Sequence, residues 1–498
     1  MSIPLLVLLG LFLFRAPSPA ASGVTDLDYY WHLGYGEWIL DHDRLPTQDF
    51  WSWTFDGHPY RLTQWLGEVL MAVAHRLGGE TGTATLSALL VTLTIAASYK
   101  AARCYLTHRV SAIAIAVICN ALLIQLACRP HQFTHLGLAV LTWLVADFLT
   151  RGRHRGLYAI PPLMALWVNL HGGYAVGLAY LALMVGLLVI EGYVTHRREL
   201  LRDQALPLAV ASAAGFVATL LNPYGWEAWQ YAIQIAGLKS SAGIVDEWAA
   251  TTIKSEPGLQ YFIVTSAVVA AMMTARQRPT VAQVLGALVL CALGWSAIRL
   301  SLMASVMMVP LLAAAFGSTP LHALIHQRPD RMPRALALGL LTLFGALSIA
   351  RGYFDKTSQQ YVAQHFPVAE VAFLKGHGIE GRLLNPPEVG GYLIRHLGQK
   401  VAIDTRLDLY GDRALFEFLF AMRGELGWHD YITRMNPDVV LINNPVALRQ
   451  LLTATGQYRL VFEGPAYSVL LRSTLRPDLP TIAADRQRLE RLLSELQS

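Results

Sequence analysis

Long apolar runs separated by short polar connections make up most of the first 350 residues. Each run covers roughly 17 to 22 residues, the length that a helix needs to cross the hydrocarbon core of a bilayer. The pattern predicts a polytopic α-helical membrane protein with about eleven transmembrane helices. They are expected near residues 3–22, 82–99, 110–127, 132–150, 157–170, 174–194, 206–221, 258–275, 280–298, 300–317 and 334–350.

The connection formed by residues 23–81 is longer and rich in Trp and Tyr, which favour the headgroup level of a membrane. Residues 28–42 and 64–77 each have the periodicity of a helix with a polar edge on an apolar surface. Both helices are predicted to lie in the membrane interface. A short span is the alternative for the second.

After residue 350, short β-rich runs alternate with helical stretches, which predicts a small α/β domain over residues 351–498. Residues 1–350 are then a separate membrane module. Strands are expected at 382–385, 400–404, 438–444, 458–463 and 467–472, helices at 368–376, 412–423 and 446–455, and a terminal amphipathic helix at 482–497.

Basic residues cluster on alternate connections, which predicts the orientation of the chain. The clusters lie near residues 100–109, 151–155, 197–202, 276–278 and 328–334. Because Lys and Arg collect on the cytoplasmic side, the N-terminus is expected inside, and an odd number of spans places the C-terminal domain outside. Residues 3–22 also resemble a signal peptide, but the missing charged start favours a first membrane helix.

The composition supports this class and argues against nucleic acid as a partner. Hydrophobic residues make up 54% and charged residues 15% of the chain, and the mean hydropathy is +0.40. The net charge of +5 is spread in short clusters beside apolar runs, so no nucleic-acid surface is expected. The four cysteines lack the spacing of metal ligands.

Several motifs lie at the predicted outer ends of the spans: DLDYYWHLGYGEWIL from Asp26, PTQDFWSWT from Pro46, NLHGGY from Asn169, NPYGW from Asn222 and DEW from Asp246. With GGYLIRHLGQKVAIDTRLDLYG from Gly390, they resemble a largely uncharacterised bacterial group in the GT-C superfamily of glycosyltransferases. Protein mannosyltransferases and lipid A aminoarabinose transferases belong to the same superfamily.

The resemblance implies a multi-pass protein of the bacterial inner (plasma) membrane with a periplasmic or extracellular C-terminal domain. It implies transfer of a sugar from a polyprenyl-phosphate or pyrophosphate carrier to a lipid, glycan or protein acceptor on the outer face. The expected partners are therefore the lipid-linked donor, the acceptor and the bilayer.

Such a transfer needs a carboxylate that takes the acceptor's proton and a cation that holds the departing phosphate. By resemblance, Asp28 is the first candidate for the base and Asp26 the alternate. The structural alternative is that Asp26 is a helix N-cap and Asp28 a first-turn acid.

Other polar residues at the outer helix ends are candidates for substrate binding. Arg129 suits a phosphate because its donors form a planar fork, although it also fits an interface arginine that reaches the headgroups. For the rest, packing or an aromatic belt is the alternative to a ligand contact. They are His131, Asn169, His171, Glu68, Asn222, Tyr224, Asp246 and Glu247.

The metal requirement stays open. Many members of the superfamily carry a metal-binding acid near the second outer loop, and this chain has Pro130, His131 and Gln132 there. The sequence thus leaves open whether a divalent ion, Mg²⁺ or Mn²⁺, is a cofactor. In the C-terminal domain, Asp404, Arg406 and Asp408 are expected to form a salt-bridged turn rather than to touch an acceptor.

Two other functions fit the same pattern: a transporter or flippase for lipid-linked glycans, and a non-catalytic envelope assembly protein. Transporters place charges near the bilayer midplane. Here the span centres carry almost no Asp, Glu or Lys, which favours transfer chemistry at the surface.

Overall fold

The computed structural model describes residues 2–237, 246–326, 333–354, 357–444 and 446–482. It divides into two compact units. The first consists of Met1–Pro46 and Arg61–Lys356, and the second of Thr47–Tyr60 and Thr357–Ser498. Residues 47–60, which the sequence analysis placed with the membrane module, are therefore grouped with the C-terminal unit.

The first unit consists of helices joined by turns and loops in its described residues. Its helices are α1 Ile3–Arg15, α2 Pro19–Ser22, α3 Tyr29–His42, α4 Trp65–Ala102, α5 Arg109–Cys119, α6 His131–Arg151, α7 Ile160–Leu170, α8 Tyr174–Val194, α9 Leu206–Ala218, α10 Glu227–Ala236, α11 Glu256–Thr274, α12 Val281–Ser296, α13 Ile298–Gly317, α14 Pro320–Ile325 and α15 Arg334–Phe354. Short 3-10 or π turns occur at Ala121–Ile124, His154–Ala159, Leu200–Ala205 and Asp246–Trp248.

Every predicted span overlaps at least one of these helices. Among the described residues, five helices are long and apolar enough to cross a membrane: α4, α6, α8, α11 and α13. The total of eleven spans and their orientation stay predictions. The first predicted span is divided into α1 and α2, because Pro19 lacks the N–H that a continuous helix needs.

The two helices predicted in residues 23–81 are present. The second continues into the next predicted span, so that both form the single helix α4 with a kink at Gly78 and Gly79. Gly79 has φ +57°, a conformation that glycine adopts without steric cost. The location of these helices in the interface remains a prediction.

Small residues allow the helices of the first unit to pack closely, as in other membrane bundles. Trp167 of α7 is buried in a notch formed by two glycines. A Cβ atom at Gly137 of α6 or Gly177 of α8 would lie 2.7 or 2.6 Å from its ring. The ring nitrogen donates to the hydroxyl of Thr134 at 3.1 Å, which fixes the ring beside the N-terminal end of α6.

The second unit combines a small sheet with helices. The strands are β1 Leu383–Leu384, β2 Val439–Asn443, β3 Tyr458–Glu463 and β4 Tyr467–Arg472, in the order β1-β2-β4-β3, with β1 parallel to β2 and the other pairs antiparallel. The helices are α16 Thr357–His365, α17 Val368–Gly376, α18 Pro387–His396, α19 Leu407–Met422, α20 Trp428–Met435 and α21 Ala447–Ala454.

Three of these helices, α16, α18 and α20, were not predicted from the sequence. The strand expected at 400–404 is reduced to isolated bridges from Val401 to Leu383 and Ser52. The predicted amphipathic helix at 482–497 lies, from residue 483 onward, outside the described residues.

Residues 47–60, which we call the strap, pair with the C-terminal part of the second unit. Trp53 N donates to Val401 O and Val401 N donates to Trp51 O, both at 3.0 Å. The Trp53 ring nitrogen donates to Leu383 O at 3.0 Å. The strap therefore extends the edge of the sheet by a short parallel pairing.

Arg406 joins the strap to the rest of this unit through a buried ion cluster. Its guanidinium donates to Asp49 at 2.7 Å and to both carboxylate oxygens of Asp404 at 2.8 and 2.5 Å. All three charged side chains are fully buried. Tyr410 donates to Asp404 at 2.9 Å, which completes the cluster. The expected Asp404–Arg406 ion pair is thus present, and Asp49 is an additional partner.

Arg406→Ala leaves the carboxylates of Asp49 and Asp404 buried without a counter-charge. We expect a loss of about 3–5 kcal/mol in the free energy of unfolding of this unit. Thermal unfolding and chymotrypsin cleavage at the aromatic residues of the strap measure it. The control is Arg413→Ala, whose side chain is 89% exposed and pairs with Glu417 on the surface. Equal stability of the two variants would contradict the prediction.

Candidate functional site

Arg129 lies among three carboxylates that come from distant parts of the chain. Its Nη1 donates to Asp26 Oδ2 at 3.3 Å and to Glu247 Oε1 at 2.8 Å. Its Nη2 donates to Asp28 Oδ2 in a short contact. The Arg129 side chain is 16% exposed, and those of Asp26 and Asp28 are 18% exposed. The arrangement is a half-buried ion cluster in which the first two acid candidates and the predicted phosphate ligand meet.

The local turn before α3 positions the two aspartates. Asp28 N donates to Asp26 Oδ1 at 2.9 Å, an Asx-type turn, and the ring nitrogen of Trp31 donates to Asp28 Oδ1 at 3.3 Å. The N-cap of α3 is Asp28, not Asp26, and its side chain makes no capping bond. The capping alternative from the sequence is therefore wrong, since both carboxylates point to Arg129 instead.

The ion cluster changes the acidity of its members. Burial raises the pKa of the Asp26 carboxyl to about 6, although Arg129 lowers it. For Glu247, burial is outweighed by Arg129 and Arg299, which lower its pKa. Burial disfavours the charge on Arg129, but the three carboxylates have the larger effect and raise its pKa. Arg129 is thus a permanent cation, and Asp26 titrates near neutral pH.

Arg299, at the start of α13, lies on the other side of Glu247. Its Nε is 3.8 Å from Glu247 Oε2, and its guanidinium lies over the Trp248 ring, 5.5 Å from the centroid. The side chain is 26% exposed. Sequence reasoning did not name Arg299 as a site residue. One signal in the sequence could have identified it: Arg299 lies on a connection predicted to be outer, where basic residues are few.

A second acid–base pair lies where α3 contacts α4. His32 Nδ1 and Glu68 Oε1 are 2.8 Å apart and both side chains are buried. The amide of Gln64 lies 3.3 Å from the same ring nitrogen, and the Trp31 ring is 3.6 Å from the His32 ring. Burial, followed by the charges of Arg129, lowers the pKa of His32 well below its usual value. Glu68 is therefore a partner of His32, which the sequence did not reveal.

The NLHGGY motif is anchored by neighbouring helices. Asn169 accepts from the ring nitrogen of Trp65 at 2.9 Å and donates to Leu221 O at 2.9 Å. His171 Nδ1 lies 2.8 Å from the Thr134 hydroxyl, and burial with the charges of Arg299 and Arg129 lowers the His171 pKa. Both side chains thus have structural partners. His171 is half-buried and lies close enough to the two arginines for their charges to act on its ring.

The remaining candidates are placed less centrally. Asn222 accepts from Tyr224 N at 2.8 Å within its own turn, and the Tyr224 hydroxyl accepts from Leu62 N at 3.0 Å. The ring of His131 packs edge-on against that of His135, with centroids 5.5 Å apart. Asp246 begins the 3-10 turn, but its side chain lies outside the described part of the chain.

The described residues contain no group of three or more His, Cys, Asp or Glu side chains arranged to hold a metal ion. The oxygens of Asp26, Asp28 and Glu247 that face one another are instead bound to the guanidinium of Arg129. The donor set therefore does not fit the Mg²⁺ or Mn²⁺ ion that the sequence left open.

Comparison with known proteins identifies the architecture. The structure superimposes on the oligosaccharyltransferase of Archaeoglobus fulgidus in its apo form with a TM-score of 0.51 and 12% identity, over 88% of this chain and 69% of that one. ArnT from Cupriavidus metallidurans gives a TM-score of 0.52 and 13% identity, over 94% and 97%. Both are GT-C glycosyltransferases. The fold is of the GT-C type.

A further structure of the Archaeoglobus enzyme, tethered to an acceptor peptide with an NVT sequon, matches with a TM-score of 0.52 and 12% identity, over 91% of this chain and 70% of that one. No family model and no curated protein matches the sequence. The GT-C resemblance predicted from the motifs is thus confirmed at the level of the fold.

α3 packs closely against α4 at Gly36. A Cβ atom there would lie 2.1 Å from the backbone oxygen of Glu68, so Gly36→Ala must push the helices apart and separate His32 from Glu68. We expect a lower melting temperature in detergent. Gly10→Ala is the control, since nothing lies within 4 Å of its Cβ position, and Ala there should be neutral or stabilising. A melting temperature unchanged by Gly36→Ala would refute this packing.

Proposed function

We propose that the protein transfers a sugar from a polyprenyl-phosphate or pyrophosphate carrier to an acceptor hydroxyl or amide at the outer face of the membrane. The observation that carries the proposal is the ion cluster of Asp26, Asp28, Glu247, Arg129 and Arg299 within a GT-C fold. It combines carboxylates and cations, the two kinds of group that the reaction needs.

In the proposed reaction, a carboxylate of the Asp26–Asp28 pair takes the proton of the acceptor. The acceptor atom forms a bond to the anomeric carbon, and the bond from that carbon to the phosphate oxygen breaks, leaving its electron pair on the phosphate. Asp28 was the first candidate for the base. The pKa of about 6 makes Asp26 the better match, because a general base works best with a pKa near the operating pH.

Arg299 is the proposed ligand of the departing phosphate. Arg129, the cation predicted from the sequence, already donates to three carboxylates, whereas Arg299 pairs with Glu247 across a longer distance of 3.8 Å. Its flat guanidinium can bind two phosphate oxygens at once. We propose His171 as a hydrogen-bond partner for the phosphate or the sugar. It is half-buried, and the charges of both arginines act on its ring.

A transporter or flippase of lipid-linked glycans is the remaining alternative. It would be expected to carry its charges near the middle of the spans. The charged residues of this cluster lie instead before α3, before α6, in a turn and at the first residues of α13. Placement at helix ends supports transfer chemistry at one membrane surface.

The decisive experiment measures transfer of radiolabelled sugar from a panel of polyprenyl-linked donors to a membrane extract by the purified protein. We expect Asp26→Asn to slow transfer by about 10²- to 10⁴-fold, because general base catalysis contributes about that factor. Asp28→Asn should also slow transfer, because Asp28 binds Arg129 beside Asp26. Asp43→Asn is the matched control, since Asp43 is exposed at the end of α3 and its φ of 51° suits Asn.

The melting temperature of each variant separates loss of chemistry from loss of folding. Folded variants with wild-type rates would remove Asp26 and Asp28 from the mechanism. A folded wild type that transfers nothing across the whole donor panel would favour the transporter or the assembly protein.

The raised pKa of Asp26 predicts the pH dependence. Asp26 can act as a base only in its ionised form, which predominates above about pH 6, so the transfer rate should rise with pH and level off above about 6 to 7. For stability the sign is opposite: a folded pKa above the ordinary value of 3.8 stabilises the fold at low pH, and this contribution is lost as pH rises through 6. A rate that does not change between about pH 5 and 7 would argue against Asp26.

A further inference from the structure

Three carboxylates from two regions of the first unit face a single group. Asp26 and Asp28 precede α3, and Glu247 lies in the 3-10 turn at Asp246–Trp248. We call these three side chains the carboxylate cage. When all three carboxyl groups are ionised, their negative charges repel one another strongly at such short range unless a cation lies between them.

The guanidinium of Arg129 supplies that cation. It gives one N–H to each carboxylate, through Nη1 to Asp26 and Glu247 and through Nη2 to Asp28. Carboxylates are also the preferred ligands of Mg²⁺ and Mn²⁺. A divalent ion would need the same oxygen atoms, and it would be repelled by the positive charge already between them.

We propose that the Arg129 guanidinium is the resident cation of this site and occupies the position that a divalent metal would take in the carboxylate cage. The wild-type protein then binds no Mg²⁺ or Mn²⁺ there. Arg129 is a positioning residue, since it holds Asp26 and Asp28 in place and keeps their charge balanced. Its importance for transfer rests on the proposed function, whereas its occupation of the cage does not.

The two arginines do not fully balance the charge of the cage. The cage carries three negative charges, and Arg129 and Arg299 provide two positive ones near it. One carboxyl therefore has no full counter-charge. Asp26 has the longest of the three contacts with Arg129, at 3.3 Å; burial is the main cause of its raised pKa, and the neighbouring carboxylates add to it. A doubly charged metal would instead hold all three carboxylates ionised.

The test is Mn²⁺ binding, followed by electron paramagnetic resonance of the free ion, with the full-length protein in detergent. We expect no detectable binding to the wild type and stoichiometric binding to Arg129→Ala. The Mn²⁺ affinity of the variant should exceed that of the wild type by roughly 10²-fold or more, because the variant keeps the carboxylates and loses the repelling charge. Arg129→Ala with Asp28→Asn should lose this gain. Mn²⁺ should also raise the melting temperature of Arg129→Ala and not that of the wild type.

Arg299→Ala is the matched control, because it also removes an arginine beside Glu247 but leaves the cage filled by Arg129. It should not gain Mn²⁺ binding. If Arg129→Ala does not fold, Arg129→Gln keeps more of the side-chain volume and serves the same measurement. Arg129→Lys, a cation without the planar fork, should keep Mn²⁺ out and shift the acid limb of the pH–rate profile.

Stoichiometric Mn²⁺ binding by the wild type that Asp28→Asn abolishes would overturn the proposal. Absence of binding by folded Arg129→Ala and Arg129→Gln would also overturn it, since the carboxylates would then not form a cation cage. Neither result depends on transfer activity, so a failure of the proposed function is distinguishable from a failure of this inference.

Discussion

The candidate site depends on one interaction, the pairing of Arg129 with three carboxylates. The partners lie 101 to 118 residues away along the chain, before α3 and in the turn that precedes α11. Each segment is a loop, and loops hold a defined position only where polar contacts fix them. Without the cation, the carboxylates would repel and the turn that orients Asp26 and Asp28 would lose its anchor.

A second arginine solves the same physical problem in a different environment. Arg406 is fully buried with Asp49 and Asp404, and every charged partner is shielded from water. Removing one member of such a cluster is costly, although the complete cluster adds little net stability. It specifies which segment pairs with the sheet, and it makes the strap part of the C-terminal unit. Arg129 and its partners are half-buried, so that cluster remains partly exposed to solvent.

Close helix packing brings the His32–Glu68 pair near the cluster around Arg129. Gly36 and Gly67 bring α3 and α4 against their neighbours, since a Cβ atom at either position would overlap backbone oxygens. The same contact joins His32 to Glu68 and positions Trp31, which reaches Asp28. The pairing of His32 with Glu68 therefore depends on a glycine that has no chemical role itself.

The sequence by itself determined most helices of the first unit, the α/β character of the C-terminal region and the acidic motif, because hydrophobic period and motif spacing are local properties of the chain. It also predicted the Asp404–Arg406 pair, whose members are two residues apart. Only the tertiary structure decided that Asp49 pairs with Arg406, 357 residues away, that Glu68 pairs with His32, and that Arg129 binds carboxylates with Arg299 beside them. The reason is that contact between distant charges depends on how the chain returns to the same place, and no local pattern encodes that return.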